Sequence, residues 1–322
     1  MKEAVLITDV VNELSVERKI LKKYKLILSE PGKLNKKDIP DITGIITGHE
    51  IIFDKKLLTK FSNCKALIRY GAGYNNIDIK YAKKKGIKVF NVPDYGSNEV
   101  ADVALAMAMS FVKDLNEKYF NIIDKNKKKF WNFSSGFVNR RISKLNVGVI
   151  GLGRIGSSFA KRAKNLGFNV FFYDPYLKKN VKNFKELKSL SSVFKLCDLI
   201  TLHVPLTKET NFFITNKLIA KSKSKLILIN TARGGLIKDD TIIKNLKNNK
   251  ILYYGTDVLE SEPINFNSKF FSLIKNKNFR SRIILTPHSA FYTKESFFDL
   301  RYKAATTLLN YMKNRSTKNC VN

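Results

Sequence analysis

Three polar clusters in the C-terminal half of this 322-residue chain combine the residue types that bind anions and move protons. "NTARGGLI" (230–237) places Arg233 just past an apolar run. "DVLESEP" (257–263) places Asp257, Glu260 and Glu262 past the next, and "TPHSAFYT" (286–293) places His288 past the last. An arginine offers a planar, two-pronged fork that suits a carboxylate and a neighbouring carbonyl oxygen. A histidine can give a proton to a carbonyl that is being reduced. A carboxylate behind the ring fixes its orientation and stabilises the imidazolium. The pattern alone leaves Glu260 and Glu262 as equal candidates for that carboxylate. Each residue taken singly reads equally well as a surface ion pair or a loop acid; the joint occurrence carries the chemistry.

A fourth cluster supplies a frame. "VGVIGLGRIGSSFAKRAKNLG" carries Gly151, Gly153 and Gly156 in the spacing G-x-G-x-x-G, after an apolar strand and at the opening of a helix. In that context the first glycine permits a tight turn, the second lets backbone approach a pyrophosphate, and the third lets helix and strand pack closely. The helix N-terminus adds free N–H groups and a positive dipole. Asp174 follows the last glycine by eighteen residues, close to the separation of about 20 expected for the acid that binds the adenosine ribose. Its charge would repel a 2′-phosphate, so NAD is expected rather than NADP. With a nicotinamide, the Arg, acid and His suit hydride transfer between an alcohol and a ketone beside a carboxylate.

These groups need strand ends to hold them, because ligands in open α/β sheets bind at the carboxyl ends of strands. Strands are expected at 4–9, 25–29, 44–48, 66–71 and 88–92, with helical stretches at 50–61 and 77–85. A second series runs through 144–156, 169–174, 199–204, 225–230, 251–258 and 282–287, and the chain closes with a helix at 294–313. This alternation predicts parallel sheets covered on both faces. Between the series, 97–123 reads as one long helix capped by Ser97 or Asn98. Its wide Ala-, Leu- and Met-rich face predicts burial between domains or in a homodimer.

Composition narrows the partners. Hydrophobic residues make up 44% and charged residues 27%, a globular balance. No apolar run reaches membrane-spanning length, and the N-terminus lacks the features of a signal peptide. Cys64, Cys197 and Cys320 form no CxxC pair; no metal site and a reduced, cytoplasmic setting are expected. The net charge of +32 comes from scattered lysines ("KNKKKF", "KSKSK", "NLKNNK") without interleaved aromatics. It reads as compositional drift rather than a nucleic-acid surface, though it can attract a small anionic substrate.

At this point the sequence resembles the D-isomer-specific 2-hydroxyacid dehydrogenases. The resemblance runs from "RYGAGYNNID" (69–78) through "NVPDYGSNEVAD" (91–102), "VGVIGLGRIG", "YDPY" (173–176), "LHVPLT" (202–207), "NTARGGLI", "DVLESEP" and "TPHSA" to "NCVN" (319–322). It implies Arg233, Glu262 and His288 as the catalytic set, with Glu260 only a neighbour. It implies cofactor contacts from Gly151, Gly153, Arg154, Ile155, Gly156, Asp174, His203, Pro205, Thr231 and Ala232, with Asp257 at the nicotinamide carboxamide. Backbone N–H groups near Ala72 and Gly73 would hold the substrate carboxylate, with Arg233 and Phe291 also at the substrate. It also implies a Rossmann NAD-binding domain (98–290) inserted in a flavodoxin-like substrate domain (1–97 plus 291–322), with the active site in the cleft between. His49 reads as structural.

Within the family the motifs most resemble the branch of phosphoglycerate-dehydrogenase-like proteins and C-terminal-binding-protein corepressors. Phe291 stands where that branch commonly has tryptophan, and Asn75 where aspartate is commoner. The expected activity is reduction of a small 2-keto acid of the glyoxylate, hydroxypyruvate or phosphoglycerate type. The alternative is an NAD(H)-sensing interaction protein like the corepressors. Glu262 argues against formate dehydrogenase, which has glutamine there.

Overall fold

In the computed structural model, residues 3–9, 11–124, 130–177, 181–223 and 225–322 are described; the lysine run at 125–129 lies outside them. The chain divides into two compact units, Met1–Gly96 with Tyr292–Asn322, and Ser97–Phe291.

The first unit holds strands β1 (Ala4–Ile7), β2 (Lys25–Leu28), β3 (Ile42–Thr47), β4 (Ala66–Arg69) and β5 (Lys88–Phe90), with helices α1 (Ser15–Ile20), α2 (Lys55–Thr59) and α3 (Ile79–Lys84). All strand pairs are parallel, in the order β2-β1-β3-β4-β5. β1, β3 and β4 are buried along their whole length, as continuous apolar runs in a doubly covered sheet must be. Lys25 at the edge strand β2 is exposed instead, which suits an edge.

The second unit opens with α4 (Ser97–Val112) and α5 (Leu115–Ile123). It continues with β6 (Asn146–Ile150), α6 (Arg154–Asn165), β7 (Asn169–Tyr173), β8 (Lys185–Glu186), α7 (Leu190–Leu196) and β9 (Leu199–Leu202). Then come α8 (Asn216–Ile219), β10 (Leu226–Asn230), α9 (Asp239–Lys247), β11 (Ile251–Thr256), α10 (Lys269–Lys275) and β12 (Ile283–Leu285). Its seven parallel strands lie in the order β12-β11-β10-β9-β6-β7-β8. The order reverses between β6 and β9, and that switch point is where a doubly wound sheet opens a crevice for a ligand. Ala101, Met107, Phe111 and Phe159 from α4 and α6 fill the core on one face. Phe194, Ile219, Ile242, Leu246 and Phe270 from the later helices fill it on the other.

The expected single helix over 97–123 is two helices. Asp114 breaks it with a left-handed φ of 54°, a conformation that aspartate tolerates better than most residues. Its buried carboxylate accepts N–H bonds from Phe137 (2.9 Å), Val138 (3.1 Å) and Asn139 (3.3 Å), and the Tyr253 hydroxyl donates to it at 2.5 Å. The apolar face of α4 is consumed inside this unit, where Phe111 stacks on Tyr253 with centroids 4.7 Å apart. What stays exposed lies on α5 and just beyond it: Leu115, Tyr119, Ile122 and Ile123, then Phe130, Trp131 and Phe133.

The last helix, α11 (Lys294–Asn314), belongs to the first unit. Thr293 and Ser296 form a reciprocal capping box at its start. Arg301 on α11 donates to both oxygens of Glu17 on α1 (2.9 and 2.6 Å), and the Tyr70 hydroxyl adds a third bond (2.8 Å). Glu17 is 0% exposed, so this pairing ties the two ends of the chain into one sheet-and-helix layer. No described helix is long and apolar enough to cross a membrane.

Candidate active site

The glycine loop sits at the switch point. Gly151 follows β6 with φ +88°, and a Cβ there would stand 2.6 Å from the His203 carbonyl, which follows β9. A Cβ on Gly156 would stand 2.0 Å from the Gly151 carbonyl, so only glycine lets α6 seat this close to the strand. A Cβ on Gly153 would meet nothing within 4 Å: the space above the loop is open. Gly153 is the N-cap of α6 and no side chain caps the helix, leaving the N–H groups around Arg154 and Ile155 for a ligand. Asp174, at the end of β7, accepts the Leu152 N–H (2.9 Å) and the Tyr176 N–H (3.0 Å), one on each oxygen. It therefore ties the glycine loop to the end of β7.

Two buried polar atoms without partners lie at the adjacent strand ends: His203 Nδ1 after β9 and Thr231 Oγ1 after β10. The His203 residue keeps some accessible surface, but Nδ1 is buried, Nε2 lies 3.0 Å from Thr201 Oγ1, and the ring rests on Phe159. Burial takes its pKa down to about 3. The ring is therefore neutral at working pH. Open space over Gly153, an uncapped helix start and two orphaned polar atoms together fit a dinucleotide. Pro205 also follows β9 and Ala232 also follows β10; the Pro205 carbonyl accepts from Thr210 Oγ1 (2.6 Å) and the Ala232 N–H donates to Asn230 Oδ1 (3.1 Å).

At the ends of β11 and β12 the predicted polar residues meet. His288 Nδ1 lies 2.7 Å from Glu262 Oε2, and the Leu259 N–H donates to Glu262 Oε1 at 2.8 Å. This contact separates the two glutamates that the sequence left level. Glu260 instead points to α9, accepting the Asp239 N–H at 2.8 Å. His288 itself holds a left-handed φ of 51°, unusual for a non-glycine residue and of the kind that clusters at functional sites. Asp257 explains how that conformation is held. Its Oδ1 accepts the Thr286 hydroxyl (2.5 Å) and the Ser289 N–H (2.9 Å), its Oδ2 accepts the Ala290 N–H (3.0 Å), and its carbonyl accepts the His288 N–H (2.8 Å). Burial raises the Asp257 carboxyl and these donors oppose the rise. The sequence did not point to this organising role, whose only signal is the Asp and Thr at neighbouring strand ends.

Arg233 leaves β10 in extended conformation, its carbonyl held by Asn230 Nδ2 (2.9 Å), and its guanidinium donates to the Ala232 carbonyl (2.6 Å). Phe291 closes the second unit. Ala72 and Gly73 lie in the first unit, on the loop after β4. The Ala72 carbonyl accepts from Asn91 Nδ2 (2.7 Å), and Asn76 Nδ2 ties the loop to the Gly48 and Ile51 carbonyls. Among the described residues there is no group of three His, Cys, Asp or Glu that could hold a metal ion.

A parallel, doubly wound sheet with an open glycine turn at its switch point and an acid closing the second strand defines an NAD-binding α/β protein. The family model "D-isomer specific 2-hydroxyacid dehydrogenase, NAD binding domain" matches residues 105–290. A Thermococcus litoralis glyoxylate reductase is 31% identical over 332 aligned residues, covering 100% of this chain and 97% of its own. A Methanocaldococcus jannaschii D-3-phosphoglycerate dehydrogenase is 33% identical over 313 residues; the match covers 95% of this chain but 56% of that relative's length. The crystal structure of Aquifex aeolicus D-lactate dehydrogenase complexed with NAD and lactic acid superposes with a TM-score of 0.85, at 30% identity and 98% coverage of both chains. This chain belongs to the D-isomer-specific 2-hydroxyacid dehydrogenase family.

Proposed function

We infer that the protein is an NAD-dependent D-2-hydroxyacid dehydrogenase working as a reductase of a small 2-keto acid, of the glyoxylate, hydroxypyruvate or phosphoglycerate type. The observation that carries this reading is the 2.7 Å contact of His288 Nδ1 with Glu262 at the carboxyl ends of β11 and β12. Glu262 as acceptor requires the proton on Nδ1, and Nε2 is proposed to face the substrate. When Nε2 also holds a proton, it can give it to the carbonyl oxygen as that oxygen gains charge. Arg233 would hold the keto acid by its two-pronged fork, with Phe291 against the substrate. Ala72 and Gly73 are proposed as backbone donors to its carboxylate. The turn at Gly151, the open approach over Gly153 and the N–H groups of Arg154 and Ile155 would take the pyrophosphate, with Gly156 seating α6 close beneath it, and Asp174 would bind the ribose. His203, Pro205, Thr231 and Ala232 would line the cofactor cleft, with Asp257 at the nicotinamide carboxamide. A bound NADH would supply the hydride.

In domain terms, 98–290 is proposed as the NAD-binding domain, and 1–97 with 291–322 as the substrate domain. A homodimer is proposed through the apolar groups left exposed on α5 and at 130–133.

The test is a panel of small 2-keto acids assayed with NADH and with NADPH by absorbance loss. Turnover of at least one keto acid with NADH, at a wide margin over NADPH, is expected. Asp174→Ala should narrow that margin, chiefly by weakening NADH. No turnover across the panel, or equal use of both cofactors by the unaltered protein, would overturn the reading.

A further inference from the structure

The geometry points to Glu260 as a positioning residue: by capping α9 from the neighbouring loop, it holds the Glu262 carboxylate on His288. The inference rests on the catalytic reading of that pair.

Helix α9 begins at Asp239, and its N-cap residue, Lys238, has no side-chain bond to offer. Glu260 fills the gap from another loop, its Oε2 accepting the Asp239 N–H at 2.8 Å. A carboxylate at a helix N-terminus satisfies an orphan donor and meets the positive end of the dipole. The same loop is held at a second point. A Cβ on Gly234 would lie 1.8 Å from the Leu259 carbonyl oxygen and 2.5 Å from the Glu260 nitrogen, so the chain next to Arg233 lies directly against 259–260. Leu259 then turns its N–H to Glu262 Oε1 at 2.8 Å, while Oε2 of the same carboxylate meets His288 Nδ1 at 2.7 Å.

The connection is continuous: α9 N-terminus, Glu260, the Leu259 amide, the Glu262 carboxylate, the His288 ring. Only the last two groups would take part in the chemistry. Without the Glu260 cap, residues 259–262 lose their anchor on α9. The Leu259 amide then no longer fixes which way the Glu262 carboxylate faces. Misplacement of about 1 Å can cost a factor of 10² when reacting groups must be held in register. A loop still pressed against Gly234 should lose less, so about tenfold is expected.

The experiment uses the full chain, with proton NMR of the ligand-free protein alongside steady-state kinetics. The Nδ1–H resonance of the His288–Glu262 pair is assigned by its loss in His288→Gln. In Glu260→Ala this resonance should broaden or disappear and kcat should fall about tenfold, with KM for the keto acid within about twofold. Glu260→Gln keeps an oxygen that can accept the Asp239 N–H, and should restore both signals. Glu260 is exposed, and a thermal melt of each variant checks that it folds. Glu260→Ala with an unchanged resonance and unchanged kcat would overturn the inference, as would Glu260→Gln failing as badly as Glu260→Ala. If the parent protein reduces no keto acid, the catalytic reading fails instead, and the NMR comparison alone still decides whether Glu260 positions the pair.

Discussion

His288 is the residue on which the proposed chemistry turns, and its environment sets a definite expectation. General acid catalysis is typically worth about 10²–10⁴-fold. His288→Ala should lose roughly that much in kcat, with NADH affinity by fluorescence titration nearly unchanged, because the ring acts on the substrate. A mutant that keeps most of its turnover would make His288 a packing residue. Asp239 provides a separate test at this scale. Burial first, then the charges of Glu260 and Asp240, raise its carboxyl from 3.8 to about 6. The folded state thus favours the protonated acid: its stability is fully present below pH 3.8 and is lost as pH rises through about 6. Asp239→Asn should therefore be more stable than the parent at pH 8, by about 1 kcal/mol after allowing for solvent screening of a half-exposed site. Urea midpoints for the two proteins should converge as pH is lowered towards 4.

Among the elements, the break between α4 and α5 has a single cause. Asp114 takes a left-handed turn and gathers three backbone N–H groups and the Tyr253 hydroxyl onto one buried carboxylate. Gly136 belongs to the same device, because a Cβ there would stand 2.6 Å from the Asp114 carboxyl carbon. Asp114→Ala leaves these donors, the buried Tyr253 hydroxyl among them, without their acceptor and should cost about 3 kcal/mol in urea unfolding. Asp114→Asn keeps one amide oxygen and should cost less. Equal stability of Asp114→Ala and the parent would show that the break is held by helix packing alone. The periodicity of 97–123 could not reveal this, because the apolar stripe continues across the turn while the partners of Asp114 come from residues 137–139 and 253.

For the whole molecule, assembly is the open expectation. The apolar face of α4 is buried within its own unit, so the surface proposed for a second copy is narrower than the helix pattern suggested. It consists of α5 and the segment carrying Trp131 and Phe133, which are 83% and 95% exposed. A specific dimer usually covers about 800 Å² on each partner, and exposed aromatics are frequent anchors of such surfaces. Light scattering at micromolar concentration should report a dimer, and replacing both Trp131 and Phe133 with Asp should yield a monomer. Trp131 is the only tryptophan, so its emission should shift to the red as the parent is diluted through dissociation. A stable monomer in the parent, or a dimer unaffected by the double change, would refute this surface.

Local pattern along the chain was enough to place the elements that depend on it. Continuous apolar runs became buried parallel strands, and three glycines at fixed spacing became an open turn into α6 at the switch point. Asp174 fell at a strand end because strand lengths vary little. Arg233, Glu262 and His288 were legible as types at strand ends, and family resemblance picked Glu262. Only the tertiary structure separated Glu262 from Glu260 by physical contact, since two residues on one short loop differ in direction and not in pattern. It alone showed Asp257 bracing the turn of His288, Asp114 breaking a helix, and Arg301 reaching Glu17 across 284 positions of chain. Each of these depends on a buried polar group finding donors or acceptors far away in sequence. Burial makes such pairing obligatory, but which partners meet is decided only when the sheets and helices have packed.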